Sequence, residues 1–104
     1  MILDLSVFKE ETLDITMMDG QVIHVRKPGQ GMVIELIKLR DIDEHTEAEK
    51  ALAALDGLTA MILNDNTDGV HFATESVRKL SLKVKQAILN AYTAFMLELQ
   101  GNPT

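Results

Sequence analysis

The chain has 104 residues, a formal net charge of −6 and a hydrophobic share of 46%. That length suits one domain around one core, and that share is too high for a disordered chain. The acidic balance opposes nonspecific attraction to nucleic acid or anionic lipid. The absence of cysteine removes disulfides, thiolate metal sites and a cysteine nucleophile.

Residues 1–11 begin with Ile2, Leu3, Leu5, Val7 and Phe8, which suit either a short strand or one helical turn at a core edge. Asp4 and the lack of a basic region are wrong for a secretory signal. The stretch Thr12 to Lys27 is the clearest β feature. Leu13, Ile15 and Met17 alternate with Asp14 and Thr16, and Ile23 and Val25 follow Asp19-Gly20. A two-residue turn would mix apolar and polar side chains on one face. A three-residue loop, Met18-Asp19-Gly20 with Gly20 left-handed, pairs Ile15 with Ile23 and Leu13 with Val25, so that register is expected.

Residues 28–31 (Pro-Gly-Gln-Gly) break the strand. The following MVIELIKLRDI fits both periods, but its length and its Glu, Leu and Lys content favour a helix. Thr46 and Glu49 read as a capping box opening a further helix, with Leu52, Leu55, Leu58 and Ile62 as its buried stripe. Gly57 within it costs about 1 kcal/mol relative to alanine, which implies close packing there. That helix ends near Asn64, and Thr74 is placed to cap a short helix from Glu75 to Leu80.

The last helix is capped by Ser81 and stopped by Gly101, Asn102 and Pro103. Val77 and Leu80 lead into its apolar stripe of Val84, Ala87, Ala91, Phe95 and Leu99. A second row holds Leu82, Leu89, Tyr92 and Met96. So wide an apolar arc must be wrapped by its own domain or must meet another chain. The fold class expected is α+β, one domain over 1–104. An N-terminal segment and hairpin (1–27) pack on a helical body (31–100), with the last helix central.

Chemistry is sparse. Asn64, Asn66, Asp68, Gly69 and Glu75 fall near the positions of a calcium loop, but Asn64 replaces the first aspartate and His71 stands where an apolar residue is usual. His24, His45 and His71 are not at metal-ligand spacing. Ser6, Ser76 and Ser81 lie in no nucleophile elbow. The carboxylates from Asp41 to Glu49 read as a solvated run before a helix. No catalytic residue, metal ligand or cofactor is assigned, and no run is long enough to cross a membrane.

Taken in order, the LDLS start, the hairpin on Asp19-Gly20, Lys27-Pro28 before MVIELIKL, and Ile62-Leu63-Asn64 form a recognisable sequence. A loop closing on Gly69, then Thr74 to Val77, then Ala87 to Tyr92 with Phe95, complete it. This order resembles the tail assembly chaperones of long-tailed bacteriophages and prophages. The resemblance implies a non-catalytic protein of the bacterial cytoplasm, absent from the mature virion. It would bind the tape-measure protein while the tail tube assembles. Further partners implied are the tail tube protein and other copies of the chain, with no nucleic acid and no membrane. On the residues themselves, Leu82, Leu89, Tyr92 and Met96 are the expected partner-binding set, since Met and Tyr suit adaptable contacts. The alternatives are a structural head–tail or tail subunit, and a calcium-binding helix–loop–helix module.

Overall fold

The computed structural model describes residues 1–4, 11–40 and 47–101. Strands β1 (Thr12–Thr16) and β2 (Val22–Arg26) form an antiparallel hairpin. Helices α1 (Gln30–Arg40), α2 (Ala48–Asn64), α3 (Thr74–Arg78) and α4 (Leu82–Gly101) follow, which is the expected α+β class. Leu5, Val7, Phe8, Ser6, Asp41, Asp43, Glu44, His45, Thr46, Asn102, Pro103 and the side chain of Leu99 lie outside the described residues. Met1, Ile2 and Leu3 are exposed and belong to neither a strand nor a helix.

The hairpin takes the register that buries one clean face. Ile15 sits opposite Ile23, and Leu13 opposite Val25. The Met17 N–H donates to the Gln21 carbonyl at 2.7 Å, and the Gly20 N–H to the Met17 carbonyl at 2.9 Å. Gly20 closes this three-residue loop at φ +90°, a backbone region where a side chain would be strained. Ile23 and Val25 are fully buried, while Leu13, Ile15 and Met17 pack half-buried against the same core.

The ambiguous MVIELIKL segment is helical. It begins earlier than expected, at Gln30, because the Gly29 carbonyl already accepts from Met32 and Val33. The capping expectations are corrected at two helices. Glu47 occupies the N-cap of α2 and Ala73 that of α3, neither with a side-chain cap bond, and Thr74 is the first helical residue of α3. Ser81 does cap α4, its hydroxyl accepting from the Val84 N–H at 3.2 Å.

The hub is α2 rather than α4. Helix α2 packs against α1, α3, α4 and β2, whereas α4 meets α2 and β1. Leu55, Leu58, Thr59, Ala60, Ile62 and Leu63 of α2 are buried, and Leu52 is exposed. Gly57 is not a close-approach site. It lies on the exposed side of α2, and a Cβ there would meet nothing within 4 Å.

Candidate functional site: the flanks of the last helix

The face that α4 turns inward is Lys85, Ile88, Tyr92 and Phe95, a spacing of three, four and three residues. Lys85 is the unexpected member. Its ammonium donates to Asp56 Oδ1 of α2 at 2.5 Å and to the Arg78 carbonyl at 3.0 Å. Both side chains are largely buried, so the pair sets how α4 is rotated against α2. The apolar arc read from the sequence is therefore turned. Ala87 and Ala91 face outward and Val84 is half-buried, so among the described α4 members of that stripe Phe95 alone is buried.

This rotation divides the expected partner-binding set. Tyr92 is fully buried and belongs to the core, a correction to its assignment as a surface contact. Burial also pushes its phenol up to about 12, with the Asp65 carboxylate acting in the same direction. Leu89 and Met96 are half-buried and share a groove, whereas Leu82, 48% exposed, lies outside it. That groove, about 380 Å³, runs between α1 and α4, with Val33 and Ile37 on one wall and Leu89, Met96 and Leu97 on the other. Ile37 and Leu97 remain 52% and 56% exposed. A second groove of about 400 Å³ lies on the opposite flank, between Leu13, Ile15 and Met17 of the hairpin and Val84, Ala87 and Ala91 of α4. Its helical wall is most of the stripe that periodicity singled out.

The calcium-like loop is occupied with its own structure. Asn66 is buried; its amide donates to the Leu63 and Val70 carbonyls, and its Oδ1 accepts from the Asp68 and Val70 N–H groups. Asn64 makes a two-way bond with the Phe72 main chain. Asp68 turns to β2, where it accepts from the His24 N–H at 2.7 Å and lies 3.0 Å from His24 Nδ1. Glu75 is on α3, 3.9 Å from Arg78. These donors do not converge on one point, and among the described residues no three His, Asp or Glu side chains are grouped to hold a metal ion. His71 is exposed.

The loop instead covers the outer edge of β2. Val25 bridges to Asn66, the Arg26 N–H donates to the Asp65 carbonyl at 2.9 Å, and the Thr67 N–H donates to the His24 carbonyl at 2.9 Å. The Arg26 guanidinium adds bonds to Asp65 and to the Asn66 carbonyl. Sequence reasoning missed this strap because its partners lie about forty residues apart, and no local period links them.

Comparisons with family models, with curated proteins and with solved structures find no match. No described helix is long and apolar enough to cross a membrane.

Proposed function

We propose that this protein is a non-catalytic tail assembly chaperone of a long-tailed bacteriophage, binding the tape-measure protein during tail tube assembly. The observation that carries the reading is the state of α4. Its apolar arc is wider than α2 and the hairpin cover, leaving an open apolar groove on each flank. The order of motifs resembling that family supplies the identity of the client. A long helical client offers apolar side chains at i, i+3, i+4 and i+7, which is what a groove between two helices accepts. The α1–α4 groove, with Leu89, Met96, Ile37 and Leu97, is the site assigned to it. In this reading the protein acts in the host cytoplasm and is absent from finished particles.

The test is capture with a tagged chain from cells producing the phage, with mass identification of what is held. Recovery of a very long, helix-rich tail protein is expected, along with its loss in the Ile37→Glu/Leu97→Glu double variant. Those two positions are exposed, so helical circular dichroism should be unchanged, and a client lost with the fold intact assigns the groove. Capture of nothing but finished particles would replace this reading by that of a structural tail subunit.

A further inference from the structure

We propose that Asp14, His24 and Asp68 form a proton-sensitive clasp that sets how tightly the strap of residues 64–70 is held against the outer edge of β2. His24 sits midway along β2, with Asp14 opposite it in register on β1. Its Nδ1 lies 3.0 and 3.2 Å from the two Asp68 oxygens, and its Nε2 lies 3.9 Å from Asp14 Oδ1. Arg26, the next residue on the same strand face, is engaged with Asp65. The charges facing His24 are thus a carboxylate from the strand beside it, a carboxylate from the strap, and a guanidinium already held by the strap's own Asp65.

The main chain makes this cluster a clasp rather than a surface pair. Ile23 and Val25 form the bonded pairs to β1, so His24 and Arg26 point their main-chain groups outward. There they receive the strap: His24 N–H to Asp68, Thr67 N–H to the His24 carbonyl, and Arg26 N–H to the Asp65 carbonyl. One residue therefore holds the strap through both its main chain and its ring. A protonated ring brings a charge-assisted bond to Asp68. A neutral ring keeps at most an ordinary one, and the strap is then held mainly by its main-chain bonds.

The direction with pH follows. The Asp68 hydrogen bond holds His24 above its ordinary value of 6.5; desolvation opposes it, and the Asp68 and Asp14 charges add to it in turn. The His24 main-chain N–H, and then its ring, hold Asp68 below its ordinary 3.8. The His24 contribution is fully present below 6.5 and fades as pH rises through its elevated value. The Asp68 contribution is fully present above 3.8 and is lost on acidification through its depressed value. The clasp is tightest between those two ordinary values and loosens as pH rises from 6.5 through the raised His24 value. Edge strands left uncovered are sites for unwanted pairing, so protection of the β2 edge is tied to the charge of one histidine.

The experiment is amide hydrogen exchange at Arg26 and Thr67, corrected for intrinsic rates, across pH 5.5 to 8.5, with the His24 ring followed by NMR. Protection at both amides should fall as His24 loses its proton, by tenfold for each full unit that its midpoint lies above 6.5. The Ile23 amide, bonded within the hairpin, serves as the internal control and should not follow. Asp68→Asn should bring His24 back towards 6.5 and flatten the profile while Ile23 stays protected. Flat protection in the unaltered chain through the His24 transition would overturn the clasp. So would an unchanged profile in Asp68→Asn.

Discussion

Tyr92 is the one tyrosine of the chain, and its hydroxyl is buried without a hydrogen-bond partner among the described residues. A buried polar atom left unpaired costs about 1–3 kcal/mol, so Tyr92→Phe should raise stability by about 1 kcal/mol in urea unfolding. Because the folded phenol is pushed up to about 12, the unfolded chain ionises first. The Tyr92 contribution to stability is therefore fully present below pH 10 and is lost as pH rises towards 12, which urea unfolding across that range would follow. Lys85 and Asp56 predict the opposite kind of behaviour. Asp56→Ala strands a buried ammonium and should cost about 3–5 kcal/mol, whereas replacing both partners by apolar residues of similar volume should be nearly neutral. Calorimetric melting of the single and double variants separates the two cases.

At the scale of elements, two glycines that look alike in composition behave differently. Gly57 is helical with open space around its missing Cβ, so Gly57→Ala should stabilise α2 by about 0.5–1 kcal/mol. Gly20 also has open space, but its φ of +90° makes Gly20→Ala destabilising by about 1–2 kcal/mol from the backbone alone. Chemical denaturation of both variants should give shifts of opposite sign. The hairpin was legible because its period of two and its Gly20 admit one register with a clean buried face. Helix starts were less so, since Glu47 and Ala73 hold N-cap positions without a side-chain bond. Carbonyl acceptors such as Gly29 leave no mark in residue type.

Across the whole molecule, α2 is the element on which the others meet, and α4 is bound on one face and open on two flanks. If the protein is the chaperone proposed above, charged substitution at exposed Ile37 and Leu97 should weaken its hold on the tape-measure protein at least tenfold, as expected for apolar anchors. A charge at Tyr92 should instead unfold the chain, because that side chain is core. Circular dichroism beside the binding measurement distinguishes these outcomes.

By itself the sequence determined the α+β class, the hairpin register, the Ser81 cap and the existence of an apolar excess on the last helix. Each depends on a local period or on the chemistry of one turn. Only the tertiary structure decided which part of that excess is buried. The Lys85–Asp56 pair joins residues 29 positions apart, and the bulk of Tyr92 must fill one place in the core. Together they turn α4 so that Ala87 and Ala91 face a groove and Tyr92 does not. The strap on β2 was decided in the same way, by contacts some forty residues apart that no local pattern encodes.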